Sequence, residues 1–321
     1  MHIRVVSYFF IILLFSFSAA AIELIFPLDC DLGKDCWISN LPRHYLRDKQ
    51  VDFRCGPNTY DGHKGTDFAL KDYKQMEKGV KVLAPFEGEV RAIRNKISDV
   101  SVRIAGKNSV KGIECGNGVV ISNGKYEAQL CHLKKHSITV RKGQKVKAGE
   151  VVGLVGLSGF TEYPHLHISL RKNSKEIDPF YGDQDGCGNK PKSMWKDKDK
   201  IHKNARTGIV YNYGFTFNQP HSEQIRKGRY IKKQPEYPNS LVGFVDMFSV
   251  DKGDKIELTI ANSSGKTIVT RDHLFGKYQA RYFFFIGKKL RGNRMSGDYQ
   301  LNIKYHHAKG GVDNFTEYIK L

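Results

Sequence analysis

The sequence has no Cys-x-x-Cys pair, no cysteine after Cys187 and only 2 tryptophans in 321 residues. Without Cys-x-x-Cys, the usual spacing of a thiolate zinc cluster is missing. Acidic side chains are scarce: 33 Asp plus Glu stand against 52 Lys plus Arg, a formal charge of +19. Such a balance points to an anionic partner, either nucleic acid or an envelope polymer. Beyond the first 21 residues there is no long apolar run, so no spanning helix is expected in the remainder. Helix signals are few and no internal repeat stands out. A composition 40% hydrophobic and 26% charged excludes a wholly disordered or collagen-like chain.

The one apolar run is at the start. Arg4 precedes Val5 to Phe17, which is almost wholly apolar, and small residues follow. Cleavage after Ala20 or Ala21 places small side chains at the required positions, the pattern of a secretory signal peptide over 1–21. The run of about 13 residues is shorter than the ~20 of a spanning helix. Losing Arg4 takes the charge from +19 to +18. Export disfavours nucleic acid and favours the cell wall or another anionic envelope polymer as partner. A basic, signal-bearing, cysteine-rich chain favours the periplasm, with an extracellular location as the alternative.

Six cysteines in an exported chain suggest disulfides. Cys30 and Cys36 can close a small loop. Cys115 and Cys131 flank a hairpin expected to turn at Asn123-Gly124. Strict register puts Cys131 opposite Gly116, so pairing with Cys115 needs a bulge or a longer loop. Cys55 and Cys187 are then left over, and the pairing stays open.

Residues 22–60 read as a loop-rich, cysteine-containing segment that could cover a site downstream. Residues 61–189 read as short strands between glycine turns: Val80 to Arg94, Val100 to Ile104, Gly118 to Leu133, Val151 to Leu157 and Leu166 to Leu170. Residues 190–203 are lysine-rich and read as a linker. Residues 204–321 alternate again, at Ile256, Leu258 and Ile260 and at Tyr299, Leu301, Ile303 and Tyr305. This part holds 19 basic and 10 acidic residues, about +9. The expected class is all-β: a compact antiparallel domain followed by a small sandwich-like basic domain.

Three segments carry chemistry. Asp61-Gly62-His63-Lys64-Gly65-Thr66-Asp67 places two glycines around a path that can turn His63 and Asp67 toward one point. Gln129-Leu130-Cys131-His132-Leu133 carries His132. In Pro164-His165-Leu166-His167-Ile168 the strand period puts His165 and His167 on one face and Leu166 and Ile168 toward a core. Two imidazoles and a carboxylate are a catalytic zinc composition that leaves a position for water. Each segment alone has a plainer use in turns, ion pairs or polar strand faces. Gly156-Leu157-Ser158-Gly159 is no nucleophile elbow, because residue 160 is Phe. Cys131 and His132, being adjacent, are poorly placed as a thiol–imidazole pair.

Together the segments resemble the M23 family of zinc metallopeptidases, the lysostaphin-type and LytM-type cell-wall endopeptidases. The resemblance lies in His63-x-x-x-Asp67, His132-Leu133 and His165-x-His167, and covers roughly residues 60–180. It implies a β domain with a groove, one zinc per chain on His63, Asp67 and His167, and His132 and His165 beside the attacking water. The implied activity is hydrolysis of peptide bonds in peptidoglycan stem peptides or cross-links. The alternative is a non-catalytic peptidoglycan-binding factor or amidase activator with a structural zinc. Two features depart from the family pattern: Phe160-Thr161-Glu162-Tyr163 before the last motif, and Ser169 after it. Both bear on groove shape rather than on the metal ligands.

Overall fold

The computed structural model describes residues 22–182, 186–188, 192–230, 240–289 and 296–321; the leader expected over 1–21 lies outside them. The first unit contains β1 (Cys36–Asn40), β2 (His44–Leu46), β3 (Lys49–Val51), β4 (Thr66–Leu70), β5 (Lys81–Leu83), β6 (Gly88–Arg94), β7 (Asn117–Ser122), β8 (Tyr126–Leu133), β9 (Lys145–Val146), β10 (Val151–Leu154), β11 (His165–Lys172) and β12 (Lys175–Ile177). Its main sheet runs in the order β1-β4-β11-β8-β7-β6-β9, with β12 on β11; β5 pairs with β10, and β2 with β3. The pairings that build the main sheet are antiparallel.

Alternation explains the layer beneath this sheet. Leu166, Ile168 and Leu170 of β11 are buried in the core beside Ala128 and Leu130 of β8 and Phe68 and Leu70 of β4. Burial of each large apolar side chain contributes roughly 1.5–3 kcal/mol.

The β7–β8 hairpin turns one residue later than expected. Asn123 N–H bonds to the Tyr126 carbonyl, and the Asn123 side chain accepts from the Lys125 and Tyr126 N–H groups. An Asx turn thus displaces the two-residue turn expected at Asn123-Gly124. The ladder also slips between Asn117 and Val119. With that irregularity Cys115 reaches Cys131; the other disulfides are Cys30–Cys36 and Cys55–Cys187. Val100 to Ile104, expected as a strand, instead contains a short helix, Val102–Ala105. Ser101 caps its start and Gly106, at φ 82°, ends it.

Two segments integrate more deeply than their composition suggests. Leu24, Leu28, Leu32, Ile38, Leu41 and Phe53 are all buried in the first core, so residues 22–60 are built into the sheet and its packing. The lysine-rich stretch contributes Trp195 and Ile201 to the same core, and Lys198–Asn204 is helical with Asp197 as its N-cap. Its lysines from Lys192 to Lys203 are exposed while two apolar side chains anchor it.

The second unit contains β13 (Ile209–Thr216), β14 (Ser240–Val250), β15 (Lys255–Asn262), β16 (Thr267–Leu274), β17 (Gln279–Lys289), β18 (Asp298–His306) and β19 (Val312–Lys320). One sheet is β13-β14-β17 and the other β16-β15-β18-β19. Their inner faces share a core that includes Val245, Met247, Leu258, Ile260, Leu301 and Ile303. The two units meet through Trp37 and Ala69 on one side and Ile209, Tyr211 and Phe248 on the other, with Tyr163 packed against them. The Ser249 hydroxyl lies 3.1 Å from the Ser39 carbonyl and 2.6 Å from Asn58 Oδ1.

Deleting residues 22–60 removes β1, β2 and β3 and, among others, the six buried apolar side chains named above. At roughly 1.5–3 kcal/mol each, these rival the ~5–15 kcal/mol of net stability typical of a folded domain. The truncated chain is expected to lose its cooperative thermal transition, as followed by circular dichroism. A melt within a few degrees of the full mature chain would show that the segment is dispensable.

Candidate active site

Sheet register brings the three segments together. On the central strands, Asp67 of β4 lies opposite His167 of β11, and His167 lies opposite Cys131 of β8. Residues in one such row share a face, so Asp67, His167 and Cys131 point the same way. His165 lies on that face two residues earlier. His132 breaks the alternation: next to Cys131 it should face the core. Its φ of 64° turns the strand and brings its ring beside His165 and His167, at centroid distances of 4.7 and 6.0 Å.

His63 arrives from the loop before β4. Gly62 adopts φ 75°, and a Cβ at Gly65 would lie 2.4 Å from the Ile168 carbonyl and 2.7 Å from His167 Nε2. Only glycine lets this loop lie so close to β11. The His63 ring comes to rest 5.1 Å from the His167 ring, with Tyr60 stacked on it at 4.4 Å. All five side chains singled out from the sequence therefore converge.

Asp67 is at their centre and is 1% exposed. Its Oδ1 lies 3.1 Å from His63 Nε2, 2.8 Å from His167 Nδ1 and 3.5 Å from His165 Nε2. Burial opposes ionisation of Asp67. The surrounding His63 and His165, with the His167 hydrogen bond, outweigh it and hold the carboxyl well below its usual range. Burial likewise opposes a charged His63, but Asp67 and the Leu41 carbonyl raise its pKa. Burial, followed by the neighbouring His165 and His167, holds His132 well below the ordinary imidazole range. Burial also lowers His165, against the pull of Asp67.

Hydrogen bonds fix the ring tautomers. His63 Nδ1 donates to the Leu41 carbonyl at 2.7 Å, His132 Nδ1 to the Ser158 carbonyl at 2.8 Å, and His165 Nδ1 to the Tyr163 carbonyl at 2.9 Å. In the neutral rings each Nε2 then carries a lone pair. The His63 Nε2 is buried without a hydrogen-bond partner. It lies 3.1 Å from Asp67 Oδ1, so in the neutral ring a lone pair faces the carboxylate, and a proton or a cation between them removes the repulsion. That arrangement suits a cation. The ligand-type atoms of His63, Asp67 and His167 lie within 4.8 Å of one another, and their chemistry, two imidazoles and one carboxylate, matches a metal centre. The other such grouping among the described residues, Cys30, Asp35 and Cys36, has both sulfurs in a disulfide.

The cluster opens into a groove of about 370 Å³ whose walls include Tyr60, Lys64, Glu114, Phe160, Arg171 and the Cys115–Cys131 pair. The ladder places Cys131 in the row of Asp67 and His167, and the Cys115 carbonyl accepts the His132 N–H at 2.8 Å. The chain around Cys115 is pressed against the loop after Ser158. A Cβ at Gly159 would meet the Glu114 carbonyl at 2.3 Å. Three partners of the site carried no sequence signal. Asn40 and Ser39 come from β1, and Tyr163 from the segment that departs from the family pattern.

Residues 61–179 match the profile described as Peptidase family M23. The peptidoglycan DD-endopeptidase ShyA of Vibrio cholerae is 37% identical over 109 residues, 34% of this chain and 20% of that protein. The glycyl-glycine endopeptidase ALE-1 of Staphylococcus capitis is 36% identical over 80 residues, 24% of this chain and 21% of that one. Among solved structures, the catalytic domain of the prophage-encoded M23 protein EnpA from Enterococcus faecalis is 27% identical, covering 43% of this chain and 95% of that one at a TM-score of 0.29. The matched part spans 20% to 32% of the length of the first four curated relatives. Residues 61–179 are thus a domain of peptidase family M23.

Proposed function

We propose that the chain is an exported zinc metalloendopeptidase that cuts peptide bonds in the stem peptides or cross-links of peptidoglycan. The observation that carries this reading is the convergence of four imidazoles around one buried carboxylate, with His63 Nε2 turned to that carboxylate. His63, Asp67 and His167 are the assigned ligands. A bound divalent zinc supplies Lewis-acid polarisation of the scissile carbonyl and acidifies water.

The remaining work falls to His132 and His165. Their Nδ1 atoms are tied to backbone carbonyls, which leaves Nε2 as the free nitrogen of each ring; His132 lines the groove, and His165 Nε2 lies 3.5 Å from Asp67 Oδ1. There they accept hydrogen bonds from the attacking water and orient it. The ring that takes the proton becomes an N–H donor, stabilises the tetrahedral species by hydrogen bonding and then passes that proton to the leaving amine. A non-catalytic binding factor or amidase activator would need neither side chain in this arrangement.

Peptidoglycan as substrate is supported by the endopeptidase relatives and by the basic charge. Export is supported by the leader pattern and by three disulfides. Among the described residues no helix is long and apolar enough to cross a membrane. The periplasm is the assigned compartment, with the extracellular side as the alternative. The second unit, about +9, is assigned to holding the enzyme on an anionic wall polymer.

Purified sacculi incubated with the zinc-loaded mature chain should release new muropeptides, identified by mass spectrometry. His167→Ala should abolish them, and His132→Ala should lower kcat by about 10²–10⁴-fold while zinc stays bound. A folded, zinc-loaded chain that releases nothing would favour the regulatory alternative. Verified reduction of Cys115–Cys131 should lower turnover, because that staple borders His132; unchanged turnover would show that the bond has no such role. Retention on sacculi should weaken as salt rises from 0.05 to ~0.5 M, where screening shortens to a few ångströms. Salt-independent retention would reject charge as the means of attachment.

A further inference from the structure

The two oxygens of Asp67 have different partners. Oδ1 faces the imidazoles, whereas Oδ2 accepts a hydrogen bond from Asn40 Nδ2 at 2.9 Å. Asn40 belongs to β1, outside residues 61–179. Its amide orientation is set by charge, since its carbonyl would repel the carboxylate. The second Asn40 N–H is directed at the Tyr163 hydroxyl, 3.1 Å away. That leaves the Tyr163 proton for Ser39 Oγ at 3.0 Å, and the Ser39 proton for the Asp67 carbonyl at 3.3 Å. The loop of bonds starts and ends on Asp67 and uses each hydrogen once.

The second unit clamps this loop. The Arg281 guanidinium lies over the Tyr163 ring at 4.7 Å, and the Phe248 ring lies 5.5 Å from it. Arg281 is itself held: it donates to the Tyr211 hydroxyl at 3.2 Å and lies 3.8 Å from the buried Asp246. Asp246 is bound in turn by Arg226 at 2.8 and 3.1 Å. A continuous set of contacts therefore runs from the second unit to the carboxylate at the centre of the site.

We propose that Asn40, steadied by Tyr163 and Arg281, is a positioning residue that selects Oδ1 of Asp67 as the oxygen turned toward the imidazoles, so that the second unit tunes the metal affinity of the site. This rests on the reading of His63, Asp67 and His167 as ligands. A carboxylate free to rotate can offer either oxygen or both. One with Oδ2 engaged offers Oδ1 alone, and the ordering is done before the metal arrives.

The test uses cobalt(II) alone as probe on the full mature chain, read by its visible absorption and by chelator competition, with folding checked by thermal melts. Asn40→Ala is expected to weaken cobalt binding roughly 10–100-fold and to shift the absorption bands. Tyr163→Phe keeps the ring between Arg281 and Phe248 and should give a smaller loss in the same direction. Arg281→Ala should weaken binding and Arg281→Lys should restore part of it. Should Asn40→Ala fail to fold, the Tyr163 and Arg281 variants decide. Folded variants with native affinity and spectrum would overturn the positioning role while leaving the ligand reading intact. A wild-type chain that takes up no cobalt, or a His167→Ala variant that binds it equally well, would overturn the ligand reading and the proposal with it.

Discussion

A carboxylate has been taken out of water at Asp67, and the rest of the structure is arranged around that fact. A buried charge without partners costs several kcal/mol, and its removal from a partnered cluster leaves the others uncompensated. Here the compensation comes from His63, His165 and His167 on one oxygen and Asn40 on the other. They arrive from three parts of the chain: the loop before β4, β11 and β1. The position of Asp67 on β4 makes this possible, because β4 is flanked by β1 on one side and β11 on the other.

That constraint explains why three stretches of differing composition fold as one assembly. β1 must be present to bring Asn40, so residues 22–60 are committed to the sheet. The far side of β1 presents Trp37, which packs against Tyr211 and shares a cluster with Phe248 from the second unit. The second unit thereby covers a strand that would otherwise be an open edge near the site. Its basic charge and its contacts with β1 are separate properties. The first bears on the proposed attachment to an anionic polymer, and the second on the proposed hold on Asp67.

Much of the site was legible because strand geometry is periodic. The two-residue repeat alone places His165 and His167 together with Leu166 and Ile168 beneath them, and the glycines around His63 announce a loop that turns tightly. His132 was legible as a motif but not in its direction, since alternation points it inward and only a left-handed backbone turns it out. Asn40 and Arg281 were not legible. An asparagine in a loop-rich segment and an arginine among many carry no pattern, and their meaning comes from register and domain packing. The lysine-rich stretch misled for a related reason: six lysines outweigh Trp195 and Ile201 in composition, yet those two side chains decide where it lies. The strand expected at Val100 to Ile104 failed because Ser101 and Gly106 act as helix caps, a local signal stronger than five alternating residues.

The two halves of the groove are secured by different means. Around Asp67 the restraint is non-covalent: hydrogen bonds and packed rings drawn from β1 and the second unit. Around His132 it is partly covalent. The Cys115–Cys131 bond ties the hairpin to the loop whose carbonyl receives the His132 N–H, while Ser158 holds the imidazole from the other side. The difference follows from the strands available. Asp67, second in β4, has a paired strand on both sides and an extended backbone, whereas His132, next to last in β8, has a left-handed backbone where the β7 ladder has slipped. A strand end of that kind has few ladder bonds left to fix a side chain. A cross-link one residue away supplies the missing restraint, which places the staple where regular structure gives out.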